Sequence, residues 1–117
     1  MSDLALYVVQ FHDKPNTQDV REAFMKAHLA WIEKNRSWVL LAGSLREEQG
    51  MLALGGLWVV AAESKADVLE KINTDPFWAN GVRGGVEVFF WGMALADMKA
   101  LPSLMASLRE NPGSSPT

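Results

Sequence analysis

The sequence predicts an α+β domain in which four antiparallel strands form one sheet and two helices cover one face of it. Two observations predict this class. The chain has 117 residues, a length that suits a single domain. Its apolar runs also alternate between short strand patterns and helix patterns, in the order β-α-β-β-α-β.

The first half of the chain predicts a strand, a helix and a second strand. Leu4–Phe11 is rich in β-branched and aromatic residues and ends at a polar turn, which is typical of a strand. Asn16 or Thr17 can cap the helix that follows, Gln18–Asn35. The apolar residues of this helix recur every three or four positions: Val20, Phe24, Ala27 and Trp31. Trp38–Leu45 is the second predicted strand.

The second half predicts a strand, a helix and a last strand. The third strand is predicted over Met51–Ala62, with an interruption at Gly55–Gly56 that indicates a bulge or a close approach by a ligand or another backbone. Ser64–Asn73 has the pattern of a capped helix, which ends before an Asp-Pro pair. Gly81–Gly85 is predicted as a loop, and Val86–Trp91 as the fourth strand.

This order is that of the ferredoxin-like split β-α-β arrangement, in which right-handed crossovers place both helices on one face of the sheet. We expect residues 1–93 to form this domain and residues 94–117 to form a helical extension with a flexible tail. The helical spacing of Leu95–Glu110 is interrupted by Pro102, which predicts a kink.

The predicted strands are apolar on both faces, although helices can cover only one of them. The second face would leave an apolar patch larger than monomers usually expose. Either the C-terminal segment folds across this face, or two copies pack sheet to sheet. We favour a homodimer, with the aromatic residues between the two sheets as interface and pocket wall.

Composition excludes several classes of site. The chain has no Cys and two His, which excludes thiol nucleophiles, iron–sulfur clusters, Cys-based zinc sites and sites with three His ligands. The net charge is −3 without a basic cluster, which argues against nucleic-acid binding. No apolar run is long enough to span a membrane, and no signal-peptide pattern opens the chain. We therefore expect a cytoplasmic protein that uses neither a metal nor a cofactor.

Two interpretations are open for each of the residues best suited to chemistry. On the predicted helix, His28 borders the apolar stripe. It is either a boundary side chain bonded to a carbonyl or a general acid or base. Asp75 precedes Pro76, where a carboxylate commonly bonds nearby backbone amides. Its other possible role is to orient His28.

Other side chains are candidates for binding a substrate. Arg83 follows the Asp75 turn and is better placed than Arg46 or Lys26 to hold an anion. A hydroxyl at the end of the second strand, that of Ser44, can bond a ligand. Three aromatic residues complete this set of candidates: Phe11, Trp58 and Phe77. His12 lies in a polar turn, and we expect it to be solvated.

Several of these motifs together resemble the YciI-like proteins (YCII-related domain) of the dimeric α+β barrel superfamily. The resemblance covers about three-quarters of the chain. Its motifs are Tyr7, Arg21, Ala27-His28-Leu29, Leu41-Ala42-Gly43, Gly50, Asp75-Pro76-Phe77, Gly81-Val82 and Val86–Trp91. It implies a ferredoxin-like protomer that dimerises through its sheets, with a site centred on a His–Asp dyad, here His28 and Asp75.

Three functions follow as hypotheses. The first is a cofactor-independent lyase or isomerase that transfers a proton on a small cyclic or aromatic acid, and the resemblance adds dehydrohalogenation to this class. The second is a non-catalytic module that binds a small ligand in the same cleft. The third is a purely structural dimer.

Overall fold

The computed structural model describes residues 3–97, together with residues 99 and 102. Its four strands are β1 (Ala5–Asp13), β2 (Val39–Leu45), β3 (Gly55–Ala62) and β4 (Arg83–Phe90). Three α-helices connect them: α1 (Gln18–Lys34), α2 (Lys65–Lys71) and α3 (Pro76–Ala79). A single 3-10 turn, Ile72–Thr74, joins α2 to the residue before α3.

The strands form one antiparallel sheet in the order β2-β3-β1-β4. This is the predicted ferredoxin-like topology, and both α1 and α2 pack on the same face of the sheet. The core lies between these layers. Its fully or almost fully buried side chains are Val9, Phe11, Val39, Trp58, Val60, Ala62, Val68, Ile72 and Val88.

The predicted boundaries were wrong at three strands, and β1 continues past Phe11 to Asp13. β3 begins at Gly55 and does not include Met51–Leu54. Gly55 instead marks a close backbone approach, because a Cβ atom there would lie 2.0 Å from the carbonyl oxygen of Phe11. β4 begins at Arg83, inside the loop predicted over Gly81–Gly85, because Arg83 pairs with Asp13 of β1 after a shift of register at His12.

The buried face of α1 differs from the predicted apolar stripe. Its two fully buried residues are Arg21 and His28, whereas Ala27 is exposed. His28 therefore lies within the core and not at its border. A helical wheel weighs only apolar side chains, and it misses polar residues that find buried partners on other elements.

The aromatic candidates also lie on a different face from the one predicted. Phe11 and Trp58 point toward the helices, inside one protomer, and Phe77 is buried with them. The opposite face of the sheet carries aliphatic residues, Phe89, which is 51% exposed, and the polar pair Gln10 and Glu87.

The capping predictions were partly right. Ser64 caps α2, since its hydroxyl accepts a hydrogen bond from the amide of Asp67 at 3.1 Å. Thr17 precedes α1 without a side-chain cap, and its hydroxyl donates to the carbonyl of Lys14 at 2.7 Å.

The predicted helix Leu95–Glu110 and the tail after it lie outside the described residues, apart from 95–97, 99 and 102. The boundary at residue 93 therefore stays a prediction. Among the described residues, no helix is both long and apolar enough to cross a membrane.

Replacing Gly55 by Ala should destabilise the fold, because its Cβ would overlap the backbone of β1. We expect the free energy of unfolding in urea to fall by about 2 kcal/mol or more. Gly43→Ala is the matched control, since nothing lies within 4 Å of its Cβ position in the neighbouring strand β2. Equal stability of the two variants would contradict the close approach.

Candidate functional site

His28 and Asp75 form a direct pair inside the protein. The Nδ1 atom of His28 lies 2.6 Å from Oδ1 of Asp75, and both side chains are 0% exposed. An ionised carboxylate only accepts hydrogen bonds, so Nδ1–H is the donor. In the neutral ring this leaves Nε2 as the atom with a free lone pair.

Asp75 combines the two roles that the sequence left open. It is the N-cap of α3, and its Oδ1 accepts a hydrogen bond from the amide of Phe77 at 3.2 Å. Pro76 occupies the first helical position, where its missing N–H costs nothing. The same oxygen that caps this short helix also binds His28, so the turn fixes the carboxylate that orients the imidazole.

Aromatic rings surround the imidazole. The Phe77 ring is stacked on His28 with 3.8 Å between centroids and 8° between planes. The Trp58 ring lies 6.3 Å away at 27°. Phe11 contacts Trp58 edge-on at 4.7 Å. These three rings, all predicted as substrate contacts, therefore lie around His28.

A second buried polar group lies beside the same rings. Asp13 binds two arginines through separate oxygens: Oδ2 accepts from Arg21 Nη1 at 2.7 Å and Oδ1 accepts from Arg83 Nη1 at 2.8 Å. The three side chains are at most 4% exposed. Both guanidinium groups also lie over the Phe77 ring, at 4.9 and 5.1 Å from its centroid.

The surroundings of Arg21 disfavour its positive charge. Burial lowers the pKa of Arg21, and the nearby charges of Arg83 and Arg46 lower it further, whereas Asp13 acts in the opposite direction. Arginine nevertheless stays protonated at neutral pH. The local environment therefore holds more positive charge than one aspartate compensates.

Several buried polar atoms of this region have no hydrogen-bond partner among the described residues. They are Arg21 Nη2, His28 Nε2, Trp58 Nε1, Asp75 Oδ2, Arg83 Nε and Arg83 Nη2. All belong to the two polar groups or to the ring next to them. Unpaired buried polar atoms are costly and rare in folded proteins, and each requires an explanation.

An open groove leads to this region between α1 and the loop before β3. It has a volume of about 320 Å³ and is lined by Gln18, Arg21, Glu22, Met25, Arg46, Leu52 and Ala53. Arg21, Met25 and His28 are spaced four and three residues apart, which places them on one face of α1. The groove therefore ends one helical turn before His28.

The remaining predicted residues lie at the edge of the site or away from it. Ser44 pairs with Gly56 of β3, and the Arg83 guanidinium lies beside Gly56. The hydroxyl of Ser44 accepts a hydrogen bond from Arg46 Nε at 3.0 Å. Lys26 is exposed on α1. His12 is exposed as expected, and its Nε2 lies 2.7 Å from Oε1 of Glu87.

In the part of the chain that the structure describes, no group of three or more His, Asp or Glu side chains is arranged to hold a metal ion.

A family model, described as the YCII-related domain, matches residues 5–92. The chain belongs to the YCII-related family. The match covers every strand and helix of the sheet domain, and it confirms the resemblance found in the sequence motifs. No curated protein sequence matches the chain.

Solved structures agree with this assignment. The YCII-related domain is similar to 5-chloro-2-hydroxyhydroquinone dehydrochlorinase (TftG) from Burkholderia phenoliruptrix, which was crystallised with 2,5-dihydroxybenzoquinone. The TM-score is 0.68 at 26% identity, over 76% of this chain and 95% of that chain. A candidate antibiotic biosynthesis monooxygenase from Bacteroides thetaiotaomicron shares the fold, with a TM-score of 0.51 at 12% identity over 82% and 94% of the two chains.

The sequence did not reveal Asp13 as a residue of the buried site in this YCII-related domain. It also did not reveal that Arg21 binds Asp13 there. Asp13 was read as part of a polar turn, whereas it is the last residue of β1. The spacing of Arg21 in the sequence did indicate its burial. Arg21 lies one turn before Met25 and two turns before His28, on the same face of α1. The position of its partner depends on strand pairing, which the sequence does not show.

Asp13→Asn should destabilise the protein strongly, because it leaves two buried guanidinium groups without a counter-charge. We expect the free energy of unfolding to fall by about 3–5 kcal/mol, as measured by urea denaturation. The control is Glu33→Gln, which removes the exposed partner of Arg36 and should change stability by less than about 0.5 kcal/mol. Similar small losses in both variants would show that Asp13 does not hold the arginines.

Proposed function

We propose that this protein is a cofactor-independent enzyme that transfers a proton on a small cyclic or aromatic-derived acid. The reaction class is that of a lyase or isomerase, with dehydrohalogenation included. His28 is the general acid or base, and Asp75 is a positioning residue. The observation that carries the proposal is the 2.6 Å contact between His28 Nδ1 and Asp75 Oδ1 together with the unpaired Nε2 of the same ring.

The chemistry follows from this arrangement. Asp75 holds the proton on Nδ1, so Nε2 can accept a proton from a substrate. The imidazolium that then forms is stabilised by the adjacent carboxylate in surroundings that exclude water. General acid–base catalysis of this kind typically accelerates a reaction by about 10²–10⁴-fold.

The similarity to a dehydrochlorinase supports an elimination. In the loss of HCl from a chlorinated hydroxyhydroquinone, two hydroxyl protons leave, one proton is added to the ring carbon that releases chloride, and a hydroxyquinone remains. The atoms and electrons balance without an oxidant. A single imidazole can take up a hydroxyl proton through Nε2 and return a proton to the ring carbon, which is why we extend this class of reaction to the present chain.

The neighbouring side chains provide contacts for such a substrate. Phe11, Trp58 and Phe77 are suited to packing against a flat ring. Arg83 is suited to an ionised oxygen, and Ser44 to a hydrogen bond at the rim. Because His28 is fully buried, a substrate reaches it only if the side chains around it move.

A binding module without catalysis is the second candidate. The observation that favours it is the complete burial of both His28 and Asp75. A binding module would raise its melting temperature with a small acid, by mass action, without forming product. Thermal-shift screening of aromatic and lactone acids, followed by turnover assays on the hits, separates the two candidates.

We also propose that the protein forms a homodimer through the open face of the sheet. The face is largely apolar, with Leu6, Val8, Leu41, Leu57, Val59 and Phe89 on it. Leu41 and Phe89 are 53% and 51% exposed. A contiguous apolar surface of this kind favours pairing with a second copy.

His28→Gln should remove turnover of a substrate found by that screen. We expect kcat to fall by about 10²-fold or more, because glutamine cannot accept the proton. Circular dichroism and mass measurement check that the fold and assembly are kept. Unchanged kcat would exclude His28 as the base.

Asp75→Asn is the second variant of this test and keeps the cap of α3, because asparagine is also a good N-cap. Its amide can donate to Nδ1 and so favour the other tautomer. We expect a loss of kcat with little loss of stability. A loss of stability alone, with kcat maintained, would assign Asp75 a purely structural role.

Phe89→Glu should dissociate the dimer, because it places a charge in the apolar interface. We expect light scattering after gel filtration to show a dimer of the 12.9 kDa chain for the wild type and a monomer for the variant. Leu69→Glu is the control, since Leu69 is an exposed residue of α2 in the helix layer. A monomeric wild type would refute the interface.

A further inference from the structure

Arg21 and Arg83 carry hydrogen-bonding capacity that the protein itself does not use. We infer that the two arginines, held in place by Asp13, form an anion-binding site for the ionised carboxylate or hydroxyl group of the substrate. This inference deepens the proposed function, on which it rests for the neighbouring His28. It assigns a role to Arg21 and defines the substrate as a small planar organic anion.

Arg83 presents the geometry that a carboxylate requires. Its Nη1 is bonded to Asp13, whereas Nε and Nη2 are buried and have no partner among the described residues. These two nitrogens lie on the same edge of the planar guanidinium and donate two nearly parallel hydrogen bonds. This fork matches the two oxygens of a carboxylate.

Asp13 supplies one negative charge for two arginines. Each of its oxygens already accepts from one arginine, so two buried cations share one carboxylate. Arg21 keeps a buried and unpaired Nη2. A buried ion without full compensation is costly, and an arriving anion would complete the set of charges.

The groove gives access to the Arg21 side of the site, whereas the Arg83 side chain is fully buried. Gly56 lets the guanidinium of Arg83 lie against β3, because a Cβ there would come within 3.2 Å of Nη2. On the other side, Arg21 and Arg46 line the groove of about 320 Å³. This volume lies at the lower end of the range for small-molecule pockets and suits a ligand with a single ring.

The site is next to the proposed base. The Phe77 ring contacts both guanidinium groups and is stacked on the imidazole of His28. An anionic group bound by the arginines would therefore fix one end of a ring whose other atoms extend toward Nε2. Such positioning by a bidentate arginine is an effective way to align a substrate.

The test compares anions with a neutral analogue on the wild-type protein. The probes are benzoate, which carries a carboxylate, and the anion of 2,5-dihydroxybenzoquinone, which carries ionised hydroxyls. Benzamide has the shape of benzoate without its charge. We expect saturable binding of at least one anion by calorimetry, and binding of benzamide that is at least about tenfold weaker. Benzamide bound as tightly as the anions, or no binding of either anion, would overturn the inference.

Two variants test the role of Arg83 in this binding. Arg83→Lys loses the fork and should weaken binding of the anion by about tenfold or more. Arg36→Lys alters an exposed arginine and should not change it. Unchanged affinity in a folded Arg83→Lys variant would overturn the inference.

His28→Gln separates this inference from the proposed function. It should retain binding of the anion while turnover is lost. If turnover is unaffected in that variant but binding still depends on Arg83, the proposed base is wrong and the anion site stands. If turnover is lost and the anions bind no better than benzamide, the proposed base stands and the anion site is wrong.

Discussion

The double ion pair of Asp13 with Arg21 and Arg83 is the interaction on which the site depends. It joins the end of β1 to the first turn of α1, eight residues along the chain, and to the start of β4, seventy residues along the chain. Two guanidinium groups are buried here with a single carboxylate, which is unfavourable unless each charge has good partners. The arrangement fixes the helix against the sheet at the place where the groove reaches the core.

In the second polar pair, formed by His28 and Asp75, one oxygen atom has both a structural role and a proposed chemical role. Asp75 Oδ1 caps α3 through the Phe77 amide and also binds His28 Nδ1. The cap orients the carboxylate, and the carboxylate orients the imidazole. Phe77, the residue whose amide is capped, then packs its ring against that imidazole. The Asp-Pro-Phe turn therefore builds one side of the candidate site from three consecutive residues.

The sequence predicted local features well and predicted contacts between distant parts of the chain less well. The order and type of the strands and of α1 and α2 were predictable, because hydrophobic periodicity and capping are local properties. The short helix α3 after Asp75 was not predicted. The contact of His28 with Asp75 was suggested by the topology and by the family resemblance. The depth of His28 was wrong, because the helical wheel counted Ala27 as buried and gave no weight to a buried arginine. The place of the aromatic rings was also wrong, because the face of a strand that meets the helices depends on the packing of the whole sheet.

The sequence by itself determined the α+β class, the ferredoxin-like order, the absence of cysteine chemistry, and His28 and Asp75 as the residues to consider. Tertiary structure alone decided that Asp13 faces two arginines, since strand register aligns it with Arg83 and helix packing brings Arg21 to its other oxygen. It also decided which polar atoms are buried without partners. The physical reason is that burial and pairing of charge arise between segments distant in the chain, and no local pattern of residues encodes them.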